Sequence, residues 1–198
     1  MMNKNGRILI TIVAVAAVFL LGVLYTVMSY NKFVYLSQDI DGKWSEVENQ
    51  YQRQADLIPN IVSTVSSAVK VETKFVEDVT SARTAWLNAK TQIEKDTAGV
   101  DMNNKINTML NFVATAENYP QLQANKQYTA LVDELSGTQN RITTARGRYI
   151  ESIQNYNIAV KKFPSNIIAS LFGYSGKDYY HAEVGSLGTP KLGNGTLL

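Results

Sequence analysis

Histidines and carboxylates are the first residues to search for chemistry, because they supply most general acids, general bases and metal ligands. The chain has one histidine, His181, in a glycine-rich stretch where such a residue is usually a solvated surface group. A Ser-His-Asp triad would have only this histidine to use, and the sequence has neither a Gly-x-Ser-x-Gly elbow nor a glycine-rich phosphate loop. The pattern predicts no catalytic site and no cofactor, so the protein is expected not to be an enzyme.

Metal binding is the next chemistry to weigh, because helical bundles can hold di-iron sites built from two Glu-x-x-His pairs and two further glutamates. No histidine lies in a predicted helix and the chain has no cysteine, so di-iron and cysteine-based zinc sites are not expected. A site made only of carboxylates stays open. The acidic residues are more simply solvated helix positions: Glu46, Glu48, Glu72, Glu77 and Glu117.

Arginines supply the other polar candidates. Arg53 and Asp56 lie three residues apart at a predicted helix junction. They fit a surface ion pair beside a helix cap, or a buried contact that fixes how the first helices fold back or that meets a neighbouring subunit. Arg141, Arg146 and Arg148 pose the same choice on the last predicted helix, because a planar guanidinium suits interfaces as well as solvent.

The 11 tyrosines fall into two groups that matter for function. Tyr25 and Tyr30 stand at the end of a long apolar run, where amphipathic rings prefer a membrane–water interface. Tyr128, Tyr149 and Tyr156 follow helical spacing and predict core or interface packing.

An uncharged run of 21 residues, 8–28, predicts a transmembrane helix of about 31 Å, enough to cross the hydrocarbon core. A cleaved signal peptide would have a shorter apolar core and small residues at its cleavage site, whereas bulky residues follow this run. A buried core helix is disfavoured because the run is apolar on every face. Residues 1–7 form a short segment before the span.

Charges flanking the span favour one orientation in the cell membrane. Lys4 and Arg7 precede it, and Lys32 is the one basic residue among the ten that follow. The positive-inside rule therefore favours a cytoplasmic N-terminus and an extracytoplasmic domain.

Residues 29–172 predict one helical domain, because their apolar residues keep helical spacing without strand-like alternation. The first face consists of Phe33, Leu36, Ile40, Trp44, Val47 and Tyr51. With no proline between 8 and 51, the membrane helix is expected to continue into this one. Asp56 is expected to cap a second helix with Pro59 in its first turn, and that helix is expected to stop between Asp96 and Gly99. A shorter helix follows from Met102 to about Glu117.

The last long helix is expected to restart at Asn118 and Pro120 and to end at Pro164. Its coiled-coil-like stripe comprises Tyr128, Leu131, Leu135, Thr138, Ile142, Ala145, Tyr149, Ile153, Tyr156, Val160 and Phe163. A short apolar piece, 167–172, precedes a glycine-rich tail, 173–198, that is expected to be loop-like and mobile. The predicted fold is all-α, an N-terminal transmembrane helix followed by an elongated antiparallel long-helix bundle.

Overall charge excludes one class of partner. The 19 basic residues are interspersed with 17 acidic ones and the net charge is +2, which does not suit a nucleic-acid binder.

The string Gln-Arg-Gln-Ala-Asp-Leu-Ile-Pro-Asn at 52–60, with Ala82-Arg83, resembles the LemA family. Supporting matches are Trp44, Glu117-Asn118-Tyr119-Pro120, Asn140-Arg141-Ile142, Ala145-Arg146, Tyr149, Tyr156-Asn157 and Phe163-Pro164. The chain departs from the usual family pattern at Gln54, Gln139 and Ile150, where Arg, Glu and Asn are common. The resemblance implies a membrane-anchored antiparallel helical bundle of prokaryotic type, without an established enzymatic activity.

The structural or interaction candidates drawn from these motifs are Arg53, Asp56, Pro59, Asn60, Arg83, Tyr119, Pro120, Arg141, Arg146, Tyr149 and Tyr156. The leading hypothesis is a structural protein that self-associates at the lipid bilayer as a homo-oligomer and organises membrane. The alternative is an adaptor or signalling module that binds another membrane protein through the bundle surface or the tail.

Overall fold

The computed structural model describes residues 4–68, 73–115 and 125–179, and within these ranges the chain is all-α with no strand. Its helices are α1 (Lys4–Ala68), α2 (Thr73–Asn88), α3 (Gln92–Thr115), α4 (Lys126–Lys161) and α5 (Ser165–Leu171). The predicted all-α fold with a long apolar N-terminal helix is confirmed.

Helix α1 is continuous for 65 residues and contains Pro59 in its interior. The predicted continuation of the apolar run into the first domain helix is correct. The predicted break is wrong, because Asp56 caps no new helix and Pro59 does not stand in a first turn. Of the predicted first face, five side chains are buried and Leu36 is half-buried.

The expected second helix is in fact divided among α1, α2 and the start of α3, and three residues separate α2 from α3. A capping box starts α3. The backbone N–H of Glu94 donates to the Thr91 hydroxyl, and the Glu94 carboxylate accepts from the backbone N–H groups of Lys90 and Thr91. Asp96 and Gly99 therefore lie inside α3 rather than at the end of a helix.

Helix α4 begins where the Asn125 side chain accepts from the backbone N–H groups of Gln127 and Tyr128. The predicted restart at Asn118 and Pro120 lies outside the described residues. Most of the predicted stripe on α4 is buried, but Leu131 is half-buried and Phe163 is 73% exposed.

Contacts divide the chain into two compact units, split after residue 43 and after residue 147. The bundle unit contains the described parts of 44–147, and the span unit contains 4–43 and 148–179. Cross-helix pairs give the directions within the bundle unit. Helix α1 runs antiparallel to α2, as the pairs Tyr51–Trp86 and Ala55–Arg83 show, and it also runs antiparallel to α4. Helix α3 runs antiparallel to α2, as in Phe75–Phe112 and Lys95–Trp86, and to α4.

Within the span unit, the exposed apolar stretch of α1 precedes a segment that packs against the end of α4 and against α5. Helix α5 ends in a Schellman motif. Gly173 adopts φ +75°, and the backbone N–H of Tyr174 donates to the Ala169 carbonyl at 2.9 Å. This turn brings Tyr174 back onto α1, where its ring contacts those of Tyr30 and Phe33.

Candidate functional site

Arg83 on α2 reaches the backbone of α1. Its Nε donates a hydrogen bond to the carbonyl oxygen of Ala55 at 2.8 Å. In an uninterrupted helix this carbonyl would accept from the N–H of residue 59, but Pro59 has none. Ala55 is fully buried, so bulk water does not supply the missing donor. Two residues of the motif, Pro59 and Arg83, thus act on the same carbonyl.

Arg53 pairs with Glu134 of α4 and not with Asp56, so the expected Arg53–Asp56 pair is wrong. Its Nη2 lies 2.6 Å from Glu134 Oε1, which also accepts from Arg141 at 3.0 Å. Asp56 instead accepts from Gln52, one turn earlier on α1. The three charged side chains are exposed enough that solvent weakens the network. The hydrogen bond from Arg53 lowers the pKa of Glu134 below its ordinary value.

Tyr51, Asp96 and Arg146 form a buried polar cluster where α1, α3 and α4 meet. Arg146 Nη2 donates to Asp96 Oδ2 at 3.0 Å, and the two side chains are 20% and 11% exposed. Arg146 Nη1 also lies 3.5 Å from the Tyr51 hydroxyl, which hydrogen-bonds Asp96. Each of the three polar groups therefore supports the other two.

Burial dominates the electrostatics of this cluster. It raises the pKa of Asp96 above its ordinary value, although the charge of Arg146 and the hydrogen bond from Tyr51 oppose that shift. Burial also raises the pKa of Tyr51, with the Asp96 charge adding to the effect. The phenol is thus a neutral hydrogen-bond donor. A buried cluster of this kind fixes the helices that meet in it, because breaking one contact leaves the remaining partners unpaired.

The aromatic ring of Tyr51 lies against the backbone of α3 at Gly99. A Cβ atom at that position would stand 2.6 Å from two ring carbons, closer than side chains approach in folded proteins. The centre of the Trp86 ring lies 6.4 Å from the centre of the Tyr51 ring. Lys95 Nζ lies over the Trp86 ring, 4.4 Å from its centre, in a cation–π contact. Gly99 is therefore the residue that lets Tyr51 reach the cluster.

Neutral amide pairs join α3 to its neighbours. Gln54 Nε2 donates to Asn103 Oδ1, and Gln139 Nε2 donates to Asn107 Oδ1, both at 2.8 Å. Gln54 and Gln139 stand where charged residues are common in the motif. At these two departures from the family pattern, the glutamine amides therefore form hydrogen bonds between helices.

In the span unit, Tyr149 and Tyr156 are buried, as the stripe predicts. The Tyr156 hydroxyl donates to the Ser175 carbonyl at 3.0 Å. Asn157 bonds both the backbone N–H and the carbonyl of Lys177, at 2.8 and 2.7 Å. Residues 174–179 are loop-like, as expected, and these hydrogen bonds hold Ser175 and Lys177 against α4.

Other predicted residues are not brought to a common site. Asn60 is exposed, and its backbone carbonyl accepts from the Thr64 hydroxyl. Tyr119, Pro120 and His181 lie outside the described residues. Within the ranges that the structure covers, no group of three or more His, Cys, Asp or Glu side chains is placed to hold a metal ion.

Sequence reasoning missed Asp96, Gly99 and the link between Arg83 and Pro59. The one local signal available was the Thr91-x-x-Glu94 capping box, which places the start of α3 before Asp96 and so puts Asp96 and Gly99 in a helix interior.

The N-terminal half of α1 is the candidate membrane span. Side chains in 8–28 are exposed except for half-buried Thr26, whose hydroxyl donates to the Gly22 carbonyl. Over the described residues, α1 is long and apolar enough to cross a bilayer.

Comparisons with known proteins give a family match and three related proteins. A model of the LemA family matches residues 43–192. Magnetosome protein MamQ 2 and magnetosome protein MamQ 1 of Paramagnetospirillum magneticum are each 25% identical, with 79% of this chain and 66% of theirs covered. Magnetosome protein MamQ of Magnetospirillum gryphiswaldense is 24% identical with the same coverage. The chain thus matches slightly less than two thirds of the length of these relatives. Because the family model covers most of the chain, including the Arg83–Ala55 contact and the buried Arg146 cluster, this protein belongs to the LemA family.

Proposed function

We propose that this protein is a membrane-anchored, non-enzymatic structural protein that self-associates at the bilayer and organises membrane. Its anchor is the 8–28 segment, and its N-terminus lies in the cytoplasm, in keeping with Lys4 and Arg7 before the span. Likeness to magnetosome proteins supports a role at membranes.

One observation carries the proposal: the apolar span and the first helix of the bundle unit are a single helix. The exposed stretch 8–28 and residues 29–68 belong to one helix that no loop interrupts. A tether in a plane raises the effective concentration of identical surfaces, so weak contacts between neighbours become significant.

The bundle unit offers a surface for such a contact, the α2–α3 groove. This shallow groove of about 490 Å³ is lined by the small residues Ala85, Ala89, Thr97 and Ala98, by the larger Asn88 and Ile93, and by the acidic Glu94 and Asp101. Ile93 is 65% exposed. A projecting side chain beside a hollow of small residues on the same patch suits a two-fold contact, in which each copy places its Ile93 against the other copy's alanines.

Cross-linking tests this arrangement, because the chain has no native cysteine to interfere. In Ile93→Cys, the introduced thiols of two copies would lie near a two-fold axis, and oxidation in vesicles should give a covalent dimer. Leu87→Cys is the matched control, since Leu87 is 41% exposed but does not line the groove. Equal dimer yields from the two variants would contradict the proposed contact. Cross-linking of Ile93→Cys to a different membrane protein in cells, without a homodimer, would favour the adaptor alternative.

The orientation has its own test. In spheroplasts, Asn3→Cys should resist a membrane-impermeant maleimide until the membrane is opened, whereas Ser136→Cys in the bundle unit should react at once. The reverse pattern would contradict the proposed orientation.

A further inference from the structure

A cleft in the span unit lies between α1 and the end of α4. Its volume is about 700 Å³, within the range of small-molecule sites. One wall is formed by Tyr25, Met28 and Phe33 of α1, and the other by Ile158 and Phe163. The cleft is thus mostly apolar, and its walls belong to two antiparallel helices and the turn that follows α4.

Two lysines give the cleft its charge. Lys32 lines it from α1, Lys162 lines it from the first residue after α4, and both are exposed. No acidic residue is among the described residues that line the cleft. Ser29, Asn155 and Ser165 supply further polar atoms. The site therefore combines two positive charges and hydrogen-bonding groups with an apolar surface, which matches an anionic head group joined to a hydrocarbon chain.

The position of the cleft along α1 agrees with that chemistry. Tyr25 and Met28 belong to the uncharged run, whereas Lys32 lies one turn beyond its end. One end of the cleft is thus continuous with the exposed apolar surface of the span, and lysines and tyrosines near span ends take the headgroup level.

Helix α5 places a second apolar surface beside the cleft. Ile168 and Ala169 are buried, whereas Ile167 and Leu171 are 61% and 76% exposed. Phe163, which lines the cleft, is also largely exposed. Residues so apolar and so exposed at the level of the span end suit contact with lipid.

From these observations we propose that the cleft binds an anionic phospholipid of the surrounding bilayer, with its phosphate at Lys32 and Lys162 and an acyl chain along Tyr25, Met28 and Phe163. The proposal rests on the membrane anchoring proposed above and not on self-association. It assigns this end of the protein a role in recognising lipid that is separate from the α2–α3 groove.

Native mass spectrometry of the full chain in detergent tests the site. Dioleoyl phosphatidylglycerol and dioleoyl phosphatidylcholine are titrated against the wild-type chain, Lys32→Gln/Lys162→Gln and the control Lys74→Gln/Lys126→Gln. The control removes the same charge from exposed lysines of the bundle unit. We expect the wild type and the control to bind phosphatidylglycerol more tightly than phosphatidylcholine. The cleft variant should bind phosphatidylglycerol about thirtyfold more weakly than the wild type does.

Two further arms separate the alternatives. Soluble glycerol 3-phosphate should not displace the lipid, because it lacks the acyl chain. Phe163→Ser should weaken the binding of both phosphatidylglycerol and phosphatidylcholine. Circular dichroism establishes that each variant is folded. Equal binding of the two lipids by the wild type, equal loss in the cleft variant and the control, or displacement by glycerol 3-phosphate would overturn the proposal. Energy transfer between labelled copies in vesicles, measured on the same variants, reports separately on self-association.

Discussion

Arg83 Nε donates a hydrogen bond to the carbonyl oxygen of Ala55, 2.8 Å away and 28 residues earlier in the chain. That carbonyl has lost its helical donor because Pro59 stands one turn later. The side chain of α2 therefore replaces a backbone hydrogen bond of α1 and allows the helix to continue to Ala68. The contact joins two helices of the bundle unit at the point where α1 would otherwise be weakest.

This relationship predicts that Arg83 and Pro59 are energetically coupled. Arg83→Met keeps the aliphatic stem but removes the donor, so it should lower the free energy of unfolding by about 1–3 kcal/mol. In a Pro59→Ala background the same change should cost less, because the N–H of residue 59 can bond the Ala55 carbonyl. Denaturant unfolding of the four chains, followed by circular dichroism, gives the coupling. Equal costs in both backgrounds would show that Arg83 acts in some other way.

The buried cluster predicts a second coupling. Arg146→Met or Asp96→Leu alone should lower the free energy of unfolding by about 3 kcal/mol, because each leaves a buried charge without its partner. The double variant should be more stable than the sum of the two losses implies. A double-mutant cycle by thermal unfolding in detergent measures this, and additive losses would contradict the assignment of Asp96 and Arg146 as one unit.

Gly99 predicts opposite outcomes for two glycine substitutions. Gly99→Ala should destabilise the protein by about 1–3 kcal/mol, because the new Cβ forces the Tyr51 ring away from Asp96. Gly147→Ala is the matched control in α4, where no atom outside the local helix lies within 4 Å of the added carbon. It should stabilise by about 0.5–1 kcal/mol through helix propensity. Thermal unfolding decides, and stabilisation by Gly99→Ala would refute the close contact.

Two carboxylates predict pH effects of opposite sign. The lowered pKa of Glu134 means that its contribution to stability is present above its ordinary pKa of 4.5 and is lost as pH falls through the folded value. Asp96 has a raised pKa, so its ionisation reduces stability as pH rises from 3.8 through the folded value. The stability advantage of the wild type over Glu134→Gln should therefore shrink in acid, whereas its stability relative to Asp96→Asn should improve there.

Urea unfolding across this pH range measures both differences. Glu77→Gln, which removes a carboxylate from an exposed part of α2, serves as the matched control. If the Glu134 and Asp96 variants changed with pH in the same direction, the assigned shifts would be wrong.

Local periodicity was enough to predict the long helices. The stripe from Tyr128 to Val160 and the first face from Phe33 to Tyr51 were recognisable because helical spacing directly selects which side chains are buried. The capping box of α3 was also readable from Thr91 and Glu94. These features depend on residues within a few turns of one another.

The errors share a different physical cause. Pro59 was interpreted as the start of a helix because a proline in a helix interior leaves a carbonyl unbonded, and the donor that satisfies it comes from Arg83. The sequence predicts a helix end between Asp96 and Gly99, whereas both residues lie inside α3 and are buried. Arg146 and Tyr51, each more than 40 residues away, make them favourable. Nothing local in the sequence identifies such partners.

Energy transfer between labelled copies measures self-association in the bilayer directly. Ser136→Cys chains, labelled with donor or acceptor, are reconstituted together in vesicles at increasing ratios of lipid to protein. We expect transfer well above the value for randomly placed copies, falling reversibly on dilution, and reduced to the random value by Ile93→Asp. If transfer between Ser136→Cys chains that retain Ile93 equals the random value at every protein density, the protein does not self-associate in the bilayer.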